Sequence, residues 1–399
     1  MRQLLSVDGR STLLTSLVTT AVLVGFKILG LLEPVELLWF DHLSGLRSDE
    51  PNDPRLLIVG MTEGDIQQYG WPLSDDMLAD TLQRLQDHRP SVIGLDLYRS
   101  SLQSDEILPP ETSALRKQLA ADNLIAIMNV GSDPNYGDVP PPPTVPEHRI
   151  GFNDLVIDPD GVVRRSLLFV KTSERHYYSF ALRTVLAYLQ VSPLSSSDNV
   201  FGDDNTLSDR LFHYDDHSIY IGTQEIPALQ YSSGGYQTLD SRGYQTILKY
   251  RSRQLPAQHV SISQVLSNTI APESIANKIV LVGTTAPSLK DQFYTPYSAG
   301  QRTEFTMSGV VMHAQIISQL LDTVEQGQAL YRFMPQWGET FWLFTWCAIA
   351  GVIVWRLRHP VSYFCIGSLS LLALMGIGAE FFSGYIWLPI AEPMIGIIV

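Results

Sequence analysis

Long apolar runs near both ends of the chain flank a region in which short apolar runs alternate with polar segments. The first long run covers residues 13–32, and about twenty helical residues span roughly 30 Å, the thickness of a bilayer's hydrocarbon core. Three further runs follow at 338–356, 361–381 and 385–399. The pattern predicts one transmembrane helix before a soluble region at 33–337 and three after it.

The positive charges predict the orientation of these helices. Arg2 and Arg10 precede the first run, and arginines also fill the short loop after the second run. Because cytoplasmic loops carry an excess of Lys and Arg, residues 1–12 are predicted to be cytoplasmic and residues 33–337 extracytoplasmic. A cleaved signal peptide is the alternative, but no small-x-small cleavage site follows the first run, which favours an uncleaved anchor.

The last apolar run reaches Val399 without a polar flank. We therefore expect this helix to be truncated and the protein to continue into the cytoplasm.

Within 33–337, apolar runs typical of doubly covered strands alternate with segments of helical periodicity. The predicted strands are Arg55–Met61, Ser91–Leu97, Leu124–Val130 and Lys278–Gly283. The predicted helices are Asp75–Asp87, Thr112–Asp122, Tyr178–Leu189, Ile262–Leu266 and Ser308–Thr323. This alternation predicts an α/β fold, with a mostly parallel sheet and helices on both faces.

Two segments depart from the α/β pattern. Phe152–Ile157 and Val162–Lys171 flank the turn sequence Asp158-Pro159-Asp160-Gly161, which predicts a β-hairpin. Arg164 and Arg165 follow the turn, and we expect one of these side chains to cover the sheet and to pair with Asp158 or Asp160 rather than to form an anion site. Residues 192–255 are mostly polar, and their apolar positions recur at a short period. They are therefore interpreted as an irregular, β-rich insertion.

Composition narrows the possible functions. Charged residues make up only 17% of the chain, below the roughly 25% of a soluble domain, as expected for a membrane protein. The net charge of -14 argues against a nucleic-acid partner. The two cysteines, Cys347 and Cys365, lie in apolar runs, which excludes a disulfide scaffold, a zinc ribbon and a CxxC redox site.

No familiar catalytic motif is present, so we expect no enzymatic activity in these residues and no cofactor. A binding site is easier to place, because ligands of open parallel sheets bind beyond the carboxyl ends of the strands. Polar residues at or after the predicted strand ends form the candidate pocket: Glu63, Asp65, Asp96, Arg99, Asn129, Thr284, Thr285 and Asp291.

The alternative for each of these residues is structural. In that alternative, Asp96 would cap the next segment, Thr284 and Thr285 would close a turn, and Arg99 would pair with Glu63. His313 is expected to be packed or solvated rather than to bind a metal. A Ca²⁺ site built from Asp291, Asp96 and Glu63 requires that these carboxylates converge, and we predict no metal site.

The ordered segments resemble the CHASE2 family of bacterial extracytoplasmic sensor domains. The matching pieces extend over most of the soluble region; they are Asp41 and Arg47, Arg55–Met61, Tyr69–Pro72, Ser91–Asp96, Gly151–Asn153, Asp158–Arg165, Lys278–Thr285, Asp291, Thr295–Pro296 and Ser308–Ala314. One departure is that Met61-Thr62-Glu63 stands where the family more often has an Asp directly after the strand.

The resemblance implies the sensory module of a bacterial receptor in the inner (plasma) membrane, with an output domain beyond Val399 such as a cyclase or a kinase. Its expected partners are a small-molecule or envelope ligand, the lipid bilayer and a second copy of the chain in a homodimer. The first alternative is a membrane-anchored scaffold that binds another envelope component. The second, which is less favoured, is an envelope enzyme. A transporter is disfavoured because the spans carry few ionisable groups.

Overall fold

The computed structural model of the chain describes residues 7–100, 113–130, 139–173, 175–191, 211–298, 306–357 and 359–399. The helices in these ranges are α1 (Val7–Ile28), α2 (Glu33–Leu46), α3 (Glu63–Tyr69), α4 (Asp75–Asp87), α5 (Ala114–Leu119), α6 (Phe180–Val191), α7 (Ile262–Leu266), α8 (Gly309–Gln326), α9 (Gln336–Arg356), α10 (Pro360–Ser383) and α11 (Ala391–Ile398).

The strands in the same ranges are β1 (Leu56–Met61), β2 (Val92–Asp96), β3 (Leu124–Met128), β4 (Ile150–Phe152), β5 (Arg165–Lys171), β6 (His176–Tyr178), β7 (Phe212–Tyr214), β8 (Ser218–Ile221), β9 (Gln224–Pro227), β10 (Tyr244–Ile247), β11 (Gln258–Ser261), β12 (Ile279–Thr284), β13 (Gln292–Phe293), β14 (Met307–Ser308), β15 (Arg332–Phe333) and β16 (Ile386–Trp387).

The chain divides into two compact units. The sheet unit comprises Ser48–Ala228 and Arg242–Gln328, and the helical unit comprises Met1–Arg47, Leu229–Ser241 and Ala329–Val399.

A parallel sheet with the strand order β11-β1-β12-β2-β3-β4 forms the centre of the sheet unit. Side chains alternate between its faces, so Leu57 and Val59 pack with apolar residues of α4, α5 and α7 in one core. Helices α6 and α8 contact the strands from within the same unit. This arrangement confirms the predicted α/β class.

Glycines in the strands allow two helices to approach the sheet closely. A Cβ at Gly283 in β12 would lie 2.7 Å from the Cβ of Val310 at the start of α8. A Cβ at Gly151 in β4 would lie 2.5 Å from the Cα of Phe180, the first residue of α6. Both distances are too short for a side chain, so each position requires glycine. Gly283 allows the start of α8 to lie against β12, and Gly151 allows the start of α6 to lie against β4.

The predicted hairpin across residues 152–171 is wrong. β4 ends at Phe152 and pairs in parallel with β3, whereas β5 pairs antiparallel with β6 and β10 in a separate sheet. The turn itself forms, because Gly161 donates to the carbonyl of Asp158. Arg164 and Arg165 both pair with Asp158, at 2.9 and 2.8 Å, whereas the sequence predicted such a pair for one of them.

Of the predicted insertion, residues 192–210 lie outside the described residues. β7, β8 and β9 form an antiparallel sheet in the sheet unit, and β10 joins β5. Leu229–Ser241 belongs to the helical unit.

In the described part of the chain, three helices are long and apolar enough to cross a membrane: Arg10–Ile28 within α1, α9 and α10. The segment predicted as a fourth span, 385–399, contains β16 and the eight-residue helix α11. Eight helical residues extend only about 12 Å, so the interpretation of this segment as part of a span stays a prediction.

Charged groups of the helical unit are paired at helix ends. Lys27, in the last turn of α1, lies 2.7 Å from Glu339 and 3.4 Å from Glu392, which stand in the first turns of α9 and α11. Glu36 accepts hydrogen bonds from the backbone N–H groups of Ile390 and Ala391 at the start of α11. Each charge is placed at the helix end whose dipole stabilises it.

Candidate functional site

A cavity of about 540 Å³ lies at the carboxyl ends of β12, β2, β3 and β4. We call it the strand-end cavity. Parallel strands end at one edge of a sheet, so the residue at or just after each strand end contributes to its wall. These residues are Thr284, Asp96, Asn129 and Asn153. The first turns of α8 add Gly309 and His313, and Asp291 comes from the loop after β12.

Asp96 is the last residue of β2 and has little hydrogen-bonding support. Among the described residues, its carboxylate accepts one hydrogen bond, from the amide of Asn153 at 3.4 Å. Burial raises the pKa of Asp96 to about 6, against which this hydrogen bond acts only weakly. An ionised Asp96 is therefore costly in this position.

Asp291 is a second carboxylate on the same wall. Its Oδ2 accepts hydrogen bonds from the Thr284 hydroxyl and from the backbone N–H of Gly309, both at 3.2 Å. Burial raises the pKa of Asp291, and the nearby negative charge of Asp96 raises it further. The two carboxylates thus oppose each other's ionisation.

Asp154 is fully engaged by its neighbours. Its Oδ1 accepts from the amide of Asn129 at 2.9 Å, and its Oδ2 accepts from the backbone N–H of Val130 at 3.1 Å. These bonds tie the loop after β3 to the loop after β4, and they orient Asn129 along the cavity wall.

His313 lies one turn into α8 and is 3% exposed. Its ring packs edge to face with Phe180, and its Nδ1 has no hydrogen-bond partner in the described part of the chain. Burial lowers the pKa of His313 to about 4, so the ring is neutral at neutral pH. A neutral imidazole adds a polar atom to the cavity wall without adding a positive charge.

Arg99 is the single basic residue lining the cavity among the described residues, and its guanidinium is already engaged. It donates to the backbone carbonyls of Tyr98 at 2.9 Å and Leu73 at 2.8 Å, and its Nε lies 3.7 Å from Asp75. The alternative in which Arg99 pairs with Glu63 is therefore wrong.

Aromatic side chains add an apolar surface to the cavity. Trp71 is 42% exposed and Tyr98 is 40% exposed, although both line the cavity. The Tyr98 hydroxyl donates to the side-chain oxygen of Asn153 at 2.8 Å, which holds the ring in place. Phe293 also contributes to the wall.

Of the predicted pocket residues, five line this cavity: Asp96, Arg99, Asn129, Thr284 and Asp291. The other three are engaged elsewhere. Glu63 accepts from the backbone N–H of Ser288 at 2.7 Å, and Asp65 forms a capping box with Thr62 and also accepts from Ser263. Thr285 lies near His259, at 3.4 Å.

Several cavity residues were missed by the sequence analysis, chiefly Asn153, Asp154, Trp71 and His313. Asn153 and Asp154 were placed in the wrong hairpin, and correct assignment of β4 to the parallel sheet would have put them at the same edge. His313 was expected to be packed or solvated rather than to bind a metal, and it was not assigned to the pocket. It reaches the cavity because α8 begins against Gly283, which is a tertiary contact.

The Ca²⁺ site considered from the sequence is not assembled among the described residues. No group of three or more His, Cys, Asp or Glu side chains in the described ranges is arranged to hold a metal ion. The Ca²⁺ site considered from the sequence required Glu63, which lies outside the cavity lining.

The far end of α8 is held by a cluster of charged residues, which we call the arginine cluster. Arg55 pairs with Asp53 and Asp322, and Arg251 also pairs with Asp322. Asp53 further accepts from the Ser318 hydroxyl at 2.7 Å. Burial alone would raise the pKa of Asp53, but the hydrogen bonds and the charge of Arg55 hold it below its usual value.

Comparison with known proteins identifies the family. The family model described as the CHASE2 domain matches residues 18–352, most of the chain. No curated protein and no solved structure matches the chain. The match includes all the residues that line the strand-end cavity, and the chain belongs to the CHASE2 family of extracytoplasmic sensor domains.

Proposed function

We propose that the chain is the sensory part of a bacterial membrane receptor and that the strand-end cavity binds its signal. One observation carries this proposal: α8 lines the cavity with its first turn, and only residues 327–335 separate its end from α9, a helix long enough to span a membrane. A ligand in the cavity therefore contacts the element that leads along the chain to the membrane.

The mechanism requires two arrangements of α8 with different affinities for the ligand. A ligand shifts such an equilibrium only by its difference in binding free energy between the two states. Gly309 and His313 supply direct contacts from α8, and Asp291 reaches the same helix through the N–H of Gly309. Occupation of the cavity can thus favour one position of the helix.

The proposal places 33–337 outside the cytoplasm, the multi-pass anchor in the inner membrane and an output domain beyond Val399. It assigns the cavity to binding rather than to catalysis. A homodimer is the expected form, because sensing through helices that cross a membrane commonly uses paired subunits.

A reporter fusion tests this function. The chain is joined after Val399 to a nucleotide-cyclase catalytic domain, and cyclic nucleotide is measured in cells exposed to concentrated envelope extract. Leu289→Trp adds an indole to the cavity wall, and Leu255→Trp, at an exposed position outside the cavity lining, is the control. We expect Leu289→Trp either to abolish the response or to make the cyclase output independent of the extract. The control variant should respond as the wild type does.

An unchanged response in Leu289→Trp would contradict the proposal. A response lost only when a second envelope protein is removed from the extract would favour the scaffold alternative, in which a protein surface rather than the cavity receives the signal.

A further inference from the structure

We propose that the ligand of the strand-end cavity is a small organic ammonium compound, with Asp96 and Asp291 as its counter-charges. This inference rests on the proposed function, because it specifies the chemistry of the same site. The ligand class is inferred by comparing the polar groups of the cavity wall that have hydrogen-bond or ionic partners with those that have few.

The cavity wall carries an excess of negative charge. Three carboxylates line it, those of Asp96, Asp154 and Asp291, against the single guanidinium of Arg99. Arg99 is directed to two backbone carbonyls and to Asp75, so it does not neutralise the other carboxylates. A buried carboxylate is stable only when it is paired, hydrogen-bonded or protonated.

The carboxylates differ in how well they are supported. Asp154 receives two hydrogen bonds of ordinary length, whereas Asp96 receives one long bond from Asn153. Asp291 uses a single oxygen, Oδ2, for both of its hydrogen bonds in the described part of the chain. Asp96 and Asp291 therefore keep unused acceptor capacity and uncompensated charge.

His313 is an independent indication that the ligand brings hydrogen-bond donors. It is almost fully buried, lines the cavity and has no partner at Nδ1 within the described ranges. In the neutral tautomer that carries its proton on Nε2, the ring presents Nδ1 as an acceptor. The unused acceptor positions of Asp96 and Asp291 line the same cavity, and a primary ammonium group supplies three donors and a positive charge.

The rest of the wall fits an organic cation better than a metal ion. The acidic side chains are not arranged as metal ligands in the described residues. Trp71, Tyr98 and Phe293 offer aromatic surface, and aromatic faces attract ammonium groups while they also cover alkyl carbons. The volume of about 540 Å³ suits a small molecule.

Matched cationic and neutral probes test the inference on the complete chain in lipid nanodiscs. The cations are choline, tetramethylammonium and pentane-1,5-diamine. The neutral counterparts are 3,3-dimethylbutan-1-ol for choline and pentane-1,5-diol for the diamine, with NaCl added to equal ionic strength. Binding is measured by calorimetry and by thermal shift in the wild type, Asp96→Asn, Asp291→Asn and the surface control Asp80→Asn.

We expect at least one cation to bind and its neutral counterpart to bind at least about tenfold more weakly, since every cation gains a Coulombic attraction to the two carboxylates and the protonated diamine also donates charge-assisted hydrogen bonds. Asp96→Asn and Asp291→Asn should each weaken cation binding by about tenfold or more, and Asp80→Asn should leave it unchanged. The inference would be overturned if no cation binds, or if the neutral probes bind as tightly as their cations. It would also be overturned if the two cavity variants bind the cation as tightly as the wild type, or if Ca²⁺ binds more tightly than every organic cation.

This result is distinguishable from failure of the proposed function. If no cation binds while Leu289→Trp still abolishes the reporter response, the cavity remains the sensory site and only the ligand class is wrong. If cations bind as expected while Leu289→Trp has no effect on the reporter, the ligand class stands and the sensory role of the cavity fails.

Discussion

The two ends of helix α8 are stabilised in opposite ways. At its C-terminal end, Asp322 is paired with Arg55 and Arg251, and Asp53 pairs with Arg55 beside it. At its N-terminal end, Asp96 and Asp291 line a cavity without a cationic partner from the described residues. The pKa of Asp53 is lowered by Arg55, whereas burial raises the pKa of Asp96 to about 6.

This comparison separates structural carboxylates from binding carboxylates. A buried carboxylate that is saturated by arginines stabilises the fold, since removal of one partner exposes the other as an unpaired charge. A carboxylate held without partners destabilises the apo protein and gains most when a cation arrives. The arginine cluster therefore fixes one end of α8, and the cavity leaves the other end responsive.

The largest expected effect is at the arginine cluster. Asp53→Asn removes a charge that faces Arg55 and lies 3.7 Å from Arg251, and it should destabilise the protein by about 3 kcal/mol. Thermal unfolding in nanodiscs at pH 7.5, followed by intrinsic fluorescence, measures the loss. Stability within about 0.5 kcal/mol of the wild type would show that the cluster does not hold α8.

At the cavity, removal of a carboxylate is expected to raise the free energy of unfolding rather than to lower it. The pKa of Asp96 is raised to about 6 by burial and returns to about 3.9 on unfolding, so ionisation above pH 6 costs folded-state free energy. Asp96→Asn should therefore be more stable than the ligand-free wild type at pH 7.5, by about 3 kcal/mol.

The stability gap between Asp96→Asn and the wild type should close as the pH falls through 6 towards 4, because Asp96 then becomes protonated. Asp291 titrates in both proteins, but in Asp96→Asn it no longer feels the negative charge of Asp96, so the difference between the two unfolding curves reports Asp96 together with its coupling to Asp291. A gap of the same size at pH 7.5 and pH 4.5 would contradict the assignment.

Cation binding should depend on pH for the same reason. Protonation of Asp96 below pH 6 removes one counter-charge, so choline affinity should fall by up to about tenfold per pH unit below that value. Calorimetric titrations of the wild type between pH 7.5 and 5 measure the slope, and Asp96→Asn should show a shallower one. Equal slopes in the two proteins would assign the titration to another group.

The smallest effect is expected at an exposed ion pair on α4. Asp80 lies 3.0 Å from Arg84 and both side chains are well exposed, so Asp80→Asn should change the free energy of unfolding by less than about 0.5 kcal/mol. The same thermal unfolding experiment provides the reference for the two buried sites. A loss comparable to that of Asp53→Asn would mean that burial does not separate the two classes.

The sequence predicted those parts of the site that depend on one strand at a time. Apolar runs identify β1, β2, β3 and β12, and the polar residues at the ends of three of them, Asp96, Asn129 and Thr284, line the cavity. Strand order decides the rest. β12 lies between β1 and β2, and this arrangement cannot be read from the runs themselves.

The residues that the sequence analysis missed depend on long-range contacts. β4 is only three residues long and lacks a distinctive pattern, so Asn153 was assigned to a hairpin instead of the sheet edge. Glu63 and Asp65 follow a predicted strand and Asp96 lies near the end of another, yet local capping engages Asp65 and the N–H of Ser288 engages Glu63. Sequence position alone does not separate a capping carboxylate from one that lines a cavity.

Hydrogen–deuterium exchange of the full chain in nanodiscs, with and without choline, tests the central claim most directly. If an occupant of the strand-end cavity acts on α8, choline should slow exchange in residues 309–326 and change it in residues 327–335, and Asp96→Asn should show neither effect. Slower exchange confined to the loops after β2, β3 and β4, with 309–335 unchanged, would contradict the account.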